Sequence, residues 1–326
     1  MSETFGSYRI LDRLGANGVG DVYRARDTRA GRTVALTIVS AEIADDPARR
    51  DHFLRDARAA ATLSHPNIAA LYEVAEDESR LALASEYVAG DKLATLVAGH
   101  PLNARRAVHF GIQLADALAD AHAAGIVHGD LEPEQIVVTS KGSIRVLDVG
   151  LARWTRGAAA RDGAMRSPFA SDAVSTERES ARLTPEPVRE DIFDPRPDIF
   201  SLGSVLFEML TGRPAFEGGG RPPALARESA KGIPPPVSAI NPLVPREVDP
   251  IVAKALSNVA NDRYESAAIL AADLRSLAEV LDSRAKQADG EIARTRPEAA
   301  RPSAIGWAMG AVVLAMIAWV IWMAMR

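Results

Sequence analysis

The pattern of apolar and polar positions changes about a third of the way along the chain. Between residues 9 and 88, short apolar runs are separated by turns, and residues 32–39 form a β-branched run that predicts a buried strand. Residues 47–63 differ, because apolar side chains such as Phe53 and Ala57 recur there at helical spacing. This part of the chain therefore predicts a sheet accompanied by one helix.

Helical periodicity dominates the rest of the chain. A helix is predicted over residues 103–124, where Asn103 suits the N-cap and Gly125 the end. Further helices are predicted over residues 196–211 and within 248–283. Short strands are expected around Val137 and Val146. A strand-rich first third followed by a helix-rich remainder predicts an α+β fold in two lobes.

The C-terminal region contains two segments of different composition. Residues 284–303 are charged, contain proline and have few bulky apolar side chains, which is typical of a linker. Residues 304–325 then run for 22 positions without a charge. At about 1.5 Å per residue, a helix of this length spans roughly 33 Å and predicts a transmembrane helix; a buried C-terminal helix is the alternative.

The residues around this run predict its orientation and a mode of assembly. Several arginines precede the run and only Arg326 follows it, so the positive-inside rule predicts a single-pass cell-membrane protein with its globular part in the cytoplasm. Gly306 and Gly310 form a GxxxG pattern that would let two helices approach closely in a homodimer, although this pattern is common by chance.

Composition excludes several classes of function. A chain of 326 residues with 47% hydrophobic and 25% charged residues is able to bury a core, which argues against a wholly disordered protein. The net charge of −5 argues against a nucleic-acid partner. The lack of cysteine excludes disulfides, thiolate zinc sites and thiol catalysis. The N-terminal tail, residues 1–7, is polar and has no apolar run typical of a secretory signal.

The basic residues are divided unevenly between arginine and lysine. Of the 38 basic residues only five are lysines, so chemistry that requires a lysine has few candidates. The five are Lys92, Lys141, Lys231, Lys254 and Lys286.

Three glycines lie close together between two predicted strands. They are Gly15, Gly18 and Gly20. Backbone amides in such a loop can surround phosphate groups, because glycine permits a close approach. An ordinary hairpin is the alternative explanation of the pattern. A dinucleotide-binding fold is excluded, because the strand that follows does not lead into a helix.

Six later motifs follow one another in the order found in protein kinases. They are residues 34–37 (V-A-L-T), 128–135 (H-G-D-L-E-P-E-Q), 148–150 (D-V-G), 184–186 (T-P-E), 198–203 (D-I-F-S-L-G) and 261–264 (N-D-R-Y). The first four resemble the kinase patterns V-A-I-K, H-R-D-L-K-P-E-N, D-F-G and A-P-E. The last two resemble the central helix of the kinase C-lobe and the late arginine motif that pairs with the A-P-E glutamate.

Residues 8–283 thus resemble a bacterial, membrane-anchored, eukaryotic-like serine/threonine protein kinase. The resemblance implies a bilobal kinase-like domain with a β-rich N-lobe over residues 8–88 and a helical C-lobe over residues 89–283. It also implies ATP and Mg²⁺ as cofactors.

The resemblance assigns roles to individual positions. The nucleotide-binding positions are Gly15, Gly18, Gly20, Val22, Ala35, Glu86 and Val88. Asp130 takes the place of the catalytic base, and Asp148 and Gln135 take the places of the metal ligands.

Charged groups on which the family relies are replaced in this chain. Thr37 stands where the family has the lysine that grips the nucleotide phosphates, and Asp56 stands where it has the glutamate that orients this lysine. Gly129 and Glu132 replace the arginine and lysine that flank the catalytic aspartate. The other replacements are Asn17 for the middle glycine of the loop and Gln135 for an asparagine. At an effective dielectric constant of about 20, a charge pair at ~4 Å is worth roughly 4 kcal/mol, so each lost cation is expected to cost about a thousandfold in rate.

Several residues leave two interpretations open. Asp130 fits either a working base or a structural acceptor, and Asp148 fits either a Mg²⁺ ligand or the cap of a turn. His128 is expected to pack and hydrogen-bond in the core rather than titrate. No other cation is expected to replace the missing pair: Lys92 is predicted to face solvent, and Arg24 to carry ordinary surface charge.

The polar segment between Asp148 and Glu186 contains several arginines, serines and threonines. It fits either a flexible loop or a site phosphorylated by a partner kinase. Self-activation is not expected, because Gly129 replaces the arginine onto which a phosphorylated residue docks in active relatives.

Three functions are compatible with these residues. The favoured one is a membrane-tethered signalling or scaffold protein of the kinase fold, a pseudokinase with impaired or absent phosphotransfer and with weak or absent binding of ATP and Mg²⁺. It would act by binding a partner kinase or a substrate protein. The alternative is a weakly active serine/threonine kinase that uses Asp130 and Asp148. The third is a nucleotide-free membrane anchor for a complex.

Overall fold

The computed structural model of the protein describes most of the chain. The described residues are 4–77, 80–129, 131–152, 154, 193–216, 234–295 and 304–325, with the backbone alone for 288–295 and 304–313. The chain divides into two compact units, Met1–Ala278 and Glu279–Arg326. The first unit contains the predicted N-lobe and the predicted C-lobe as far as Ala278.

The N-terminal lobe is built on a six-stranded antiparallel sheet. Its strands are β1 (Thr4–Phe5), β2 (Tyr8–Ala16), β3 (Gly20–Asp27), β4 (Arg32–Val39), β5 (Leu71–Asp77) and β6 (Arg80–Glu86). They lie in the order β1-β2-β3-β4-β6-β5. A short helix α1 (Ala41–Ala44) and the longer α2 (Pro47–Ala60) follow β4.

Strand β4 contributes to both hydrophobic cores of this lobe. Val34 and Leu36 pack in one cluster with Tyr8, whereas Val39 packs in the other cluster with Phe53 of α2. A strand that is buried on both faces needs a nearly continuous apolar sequence rather than an alternating one. The strand predicted over residues 32–39 is confirmed for this reason.

Helix α2 begins at a side-chain cap and ends earlier than its periodicity predicts. Asp46 Oδ1 accepts hydrogen bonds from the backbone N–H groups of Ala48 (2.9 Å) and Arg49 (3.1 Å). The helix ends at Ala60 instead of residue 63. Thr62 Oγ1 donates to the carbonyl oxygen of Ala59 (2.7 Å), and side-chain bonds of this kind compete with continued helix.

The C-terminal lobe is helical with a small sheet. Its helices are α3 (Leu93–Val97), α4 (Ala104–Ala123), α5 (Arg196–Thr211), α6 (Val237–Ile240), α7 (Asp249–Ala255) and α8 (Ala267–Thr295). Strands β7 (Gly90–Lys92), β8 (Ile136–Thr139) and β9 (Ile144–Val146) form an antiparallel sheet in that order. The fold thus has the predicted β-rich and helical lobes.

Helices α4 and α5 form the centre of this lobe. Asn103 caps α4 as predicted, because its Oδ1 accepts from the N–H of Arg105 (3.0 Å). Helix α5 is buried along nearly its whole length and ends at Gly212, whose φ of 69° is readily adopted only by glycine. Both helix predictions are confirmed within one residue at each end.

The C-terminal segments differ from the prediction in two ways. Helix α8 continues to Thr295, so the first part of the predicted linker over residues 284–303 is helical. Its sequence there is rich in alanine and in long charged side chains, which favour helix. Helix α9 (Ala304–Ala324) follows. Among the residues described here, no helix combines the length and apolar character needed to cross a membrane, so the predicted transmembrane helix is not found.

Candidate active site

Strands β3 and β4 bring three predicted site positions onto one face of the sheet. Val22 lies directly opposite Thr37 in the antiparallel register, and Ala35 points to the same side because it is two residues away. Thr37 is buried, with 8% of its surface exposed. It carries a short neutral side chain where a lysine would carry a charge on a four-carbon stem, so it provides no cation for a phosphate group.

The three glycines around the turn between β2 and β3 differ in what the backbone requires of them. Gly15 adopts a φ of 154°, which glycine tolerates best. A Cβ atom on Gly20 would lie 1.8 Å from the carbonyl oxygen of Ile38. Gly20 is therefore required by the pairing of β3 with β4, whatever the loop binds. Gly18 lies at the tip between the two strands.

The side chain of Glu86 is used for structure at the end of β6. Its carboxylate accepts hydrogen bonds from the backbone N–H of Ala70 (3.3 Å) and from Nε of Arg145 (3.3 Å). The half-buried Val88 follows it in the connection to β7. Only main-chain groups of Glu86 are thus left to contact a nucleotide base.

The acidic residue of α2 is bonded to an aromatic side chain. Nε1 of Trp154 donates a 2.6 Å hydrogen bond to Oδ2 of Asp56. The Trp154 ring packs edge-to-face against Phe53, with 5.4 Å between ring centroids, and against His52 at 5.8 Å. The carboxylate predicted to orient a phosphate-binding lysine therefore bonds to the residue six positions after Asp148.

A buried carboxylate on α5 holds the segment that precedes the predicted base. Asp198 is 1% exposed and accepts hydrogen bonds from His122 Nε2 (2.8 Å), from the N–H of His128 (2.7 Å) and from the N–H of Gly129 (2.6 Å). Burial alone would raise the pKa of Asp198, but the hydrogen bond from His122 and the other positive partners outweigh it and lower this pKa. Asp130, which follows Gly129 in the sequence, lies outside the described residues.

The structure describes two further residues of this segment. His128 is 2% exposed, and its Nε2 lies 3.2 Å from the carbonyl oxygen of Leu147, so it packs and hydrogen-bonds in the core as expected. Gly129 has a φ of 87°, a conformation in which the arginine of the family pattern would be strained.

The predicted second metal ligand makes a hydrogen bond within its own turn. Oε1 of Gln135 accepts from the backbone N–H of Glu132 (3.0 Å), and the N–H of Gln135 donates to the carbonyl oxygen of Glu132 (3.0 Å). The oxygen that would bind a cation is thus committed to capping the turn Pro133–Gln135. Glu132 adds a carboxylate where the family has a lysine.

Asp148 is the best preserved element of the site. Its φ is 56°, and its carbonyl oxygen accepts from the N–H of Leu151 (2.9 Å), so it forms part of a tight turn. Burial raises the pKa of its carboxyl group. Three neighbours oppose this increase: the charges of His128 and Lys92 and a hydrogen bond from the Asn17 side chain.

Two described residues stand at the metal-ligand positions that the resemblance to kinases implies. Asp148 provides one carboxylate, and the Gln135 oxygen is already engaged. In the described part of the chain no group of three or more histidine, cysteine, aspartate or glutamate side chains is placed to hold a metal ion.

The comparison with known proteins agrees with this geometry at the level of the family. Residues 8–272 match the family model of the protein kinase domain. The chain belongs to the protein kinase family. Its A-P-E-like residues 184–186 lie outside the described residues, whereas the D-V-G turn and the central C-lobe helix α5 occupy the positions expected of a kinase.

Several proteins similar to this chain are bacterial. The chain is similar to a probable serine/threonine-protein kinase of Streptomyces coelicolor, with 36% identity over 276 residues that make up 83% of this chain and 40% of that protein. It is similar to PknB of Mycobacterium tuberculosis, with 34% identity over 82% of this chain and 42% of PknB. PrkC of Bacillus subtilis is 33% identical over 83% of this chain and 40% of PrkC. The chain thus spans about two fifths of the length of these curated relatives.

Solved structures of the same fold include the kinase domain of Mycobacterium tuberculosis PknI. It superimposes with a TM-score of 0.63 and 23% identity, covering 85% of this chain and 98% of that one. This likeness confirms the bilobal kinase fold of the first unit.

Sequence reasoning missed one hydrogen bond and one charge effect at the candidate site. Nothing in the sequence singled out Trp154, because its bond to Asp56 joins residues 98 positions apart. Lys92 is exposed on β7 as predicted, yet its charge lowers the pKa of Asp148. Arg24, by contrast, forms an exposed ion pair with Asp12 (2.7 Å).

Proposed function

We propose that this kinase-family chain works as a pseudokinase, a binding module that acts on a partner protein and has little or no phosphotransfer activity. The observation that carries the proposal is the bond between Trp154 and Asp56, together with the neutral residue at Thr37. In an active kinase, a lysine and a glutamate at these places form the ion pair that grips the nucleotide phosphates. In this chain Thr37 replaces the lysine, and the carboxylate of Asp56 is bonded to Trp154.

The charge balance of the cleft supports the proposal. Thr37, Gly129 and Glu132 together remove three cations and add one carboxylate where phosphate charge must be neutralised. Phosphoryl transfer depends mainly on positioning and charge neutralisation. At ~4 kcal/mol or about a thousandfold in rate for each cation, the joint loss leaves transfer near the uncatalysed level.

A phosphotransfer assay tests the proposal directly. The purified full-length protein is incubated with Mg²⁺ and γ-labelled ATP, and label is measured both on the protein itself and on a panel of serine and threonine peptides. We expect label near background. A rate on the order of 1–100 s⁻¹, typical of kinases, that is abolished by Asp148→Ala would overturn the proposal.

A weakly active serine/threonine kinase is the second candidate, and one feature favours it. Asp198 holds the segment before Asp130 through three hydrogen bonds, so the support for a catalytic loop is retained despite the lost cations. This candidate predicts Mg²⁺-dependent ATP turnover above background that disappears in Asp198→Ala. Turnover that does not exceed a heat-inactivated sample would rule it out.

Nucleotide binding without transfer separates the pseudokinase from a purely structural anchor. A ligand that binds the folded state at 100 times its dissociation constant stabilises it by about 2.7 kcal/mol. A thermal-shift titration with ATP or ADP, with and without Mg²⁺, measures this effect. No shift at millimolar ligand would assign the chain a role in protein interaction alone.

Membrane attachment and self-association are further parts of the proposal. They rest on the sequence: the uncharged run 304–325, and Gly306 and Gly310 within it. In this arrangement the kinase domain faces the cytoplasm and meets its partner kinase or substrate at the inner surface of the membrane.

A further inference from the structure

The tip of the glycine loop between β2 and β3 forms a closed turn. The N–H of Gly20 donates to the carbonyl oxygen of Asn17 (3.1 Å), and the N–H of Asn17 donates to the carbonyl oxygen of Gly20 (2.9 Å). Gly18 and Val19 are thereby left as a two-residue connection, the tightest common form of hairpin. The loop is therefore folded onto itself by its own backbone.

The side chain of Asn17 occupies amides that a phosphate-binding loop would offer to its ligand. Its Oδ1 accepts from the N–H of Val19 (3.0 Å) and from the N–H of Gly20 (3.2 Å). Successive backbone N–H groups of a glycine-rich turn form the concavity in which phosphate oxygens bind. In this chain a carbonyl oxygen from the loop itself fills the place of such an oxygen.

The opposite side of the turn is anchored in the core. The side chain of Val19 is 1% exposed and packs in the cluster that contains Ile43, Phe53 and Leu151. The carbonyl oxygen of Val19 accepts from the N–H of Ser40 (2.8 Å). The loop tip is thus held towards α1 and α2, where lifting it would expose a buried side chain.

Asn17 also acts on the preserved metal-ligand position. Its side chain lowers the pKa of the half-buried Asp148 carboxyl group, against the effect of burial. One side chain therefore bonds to the amides expected to meet a phosphate and interacts with the carboxylate expected to meet Mg²⁺.

We propose that Asn17 determines the nucleotide affinity of this cleft by acting as an internal substitute for a phosphate oxygen of Mg-ATP. The Asn17 side-chain oxygen supplies the loop amides with the acceptor that a bound phosphate group would supply. Mg-ATP must displace this oxygen before it binds. The proposal deepens the proposed function, since it concerns the same cleft, but it makes a claim on binding and none on phosphotransfer.

Replacing Asn17 tests the proposal. The full-length protein, Asn17→Gly and Asn17→Ala are titrated with Mg-ATP, Mg-ADP and Mg²⁺ alone, by isothermal calorimetry and thermal shift. Asn103→Gly is the matched control, because Asn103 caps a turn of backbone amides in the same way outside the cleft. We expect both Asn17 variants to bind Mg-ATP at least about tenfold more tightly than the unchanged protein, the effect of freeing one hydrogen-bonding site, and the control to be unchanged.

The alanine variant keeps the test valid if the glycine variant fails to fold. Equal or weaker Mg-ATP binding in a folded Asn17 variant would overturn the proposal, and so would an equal gain in Asn103→Gly. Phosphotransfer is measured on the same samples. Tighter binding without transfer upholds both proposals, whereas tighter binding with transfer at kinase rates upholds the role of Asn17 and overturns the pseudokinase.

Discussion

Replacement of Asp198 by asparagine probes the contact that organises the cleft. The carboxylate accepts three hydrogen bonds at 2.6–2.8 Å while 1% exposed. Asparagine keeps one acceptor oxygen but turns an NH₂ group towards one of the two backbone N–H donors or towards His122. A change of tautomer at His122 offers no relief, because its Nδ1 is buried and has no hydrogen-bond partner among the described residues.

The magnitude follows from these contacts. Hydrogen bonds to a charged group contribute about 1.5–3 kcal/mol each, and an unsatisfied buried donor costs ~1–3 kcal/mol. Allowing for the acceptor that remains, we expect Asp198→Asn to lower the free energy of unfolding by about 3 kcal/mol. For a domain of this size that corresponds to a decrease in Tm of roughly 6–12 °C.

The assay is thermal and urea unfolding at pH 7, with Asp116→Asn as the matched control. Asp116 forms an ion pair with Arg275 (2.6 Å), but both side chains are partly exposed, so its loss is expected to cost less than about 1 kcal/mol. A Tm for Asp198→Asn that equals that of the control would refute the reasoning.

The dependence on pH provides a second check of the same contact. The pKa of Asp198 is lowered in the folded state, so its stabilising contribution is fully present above the unfolded pKa of about 3.9. The contribution is lost as the pH falls through the lower, folded value. The difference in unfolding free energy between the unchanged protein and Asp198→Asn is therefore expected to stay constant from pH 7 to 5 and to shrink below about pH 4. If this difference in unfolding free energy already shrinks at pH 6, a histidine rather than Asp198 is responsible for the pH dependence.

Two further outcomes are expected. Trp154→Phe keeps the aromatic packing but removes the bond to Asp56, so the free energy of unfolding should fall by about 1–2 kcal/mol. The control Trp319→Phe changes an exposed position and should leave Tm unchanged. Equal Tm values for the two variants would contradict the role of Trp154. The full chain should pellet with membranes and resist extraction by alkaline carbonate, whereas a chain ending at residue 283 should not. Release of the full chain by carbonate would rule out a membrane-spanning segment at 304–325.

The order of elements and the family could be predicted from sequence, because local signals specify them. The run 34–39 is apolar except for Thr37, since β4 contributes to cores on both faces of the sheet, and the cap at Asn103 needs only residues two positions apart. The boundary of α2 was less accurate, because a side-chain bond from Thr62 ends the helix before its apolar periodicity does.

The sequence by itself also determined which charges are missing from the cleft, since Thr37, Glu132 and Gln135 can be identified against the kinase motifs without coordinates. Only the tertiary structure decided what the remaining polar groups do instead. Asp56 bonds to Trp154 across 98 positions of sequence, and the Asn17 side chain lowers the pKa of Asp148 across 131 positions. Such pairs form because packing of α2 and of the loop tip brings half-buried polar groups together, and a polar group removed from water needs a partner wherever the fold provides one. Neither residue type nor local spacing encodes that choice.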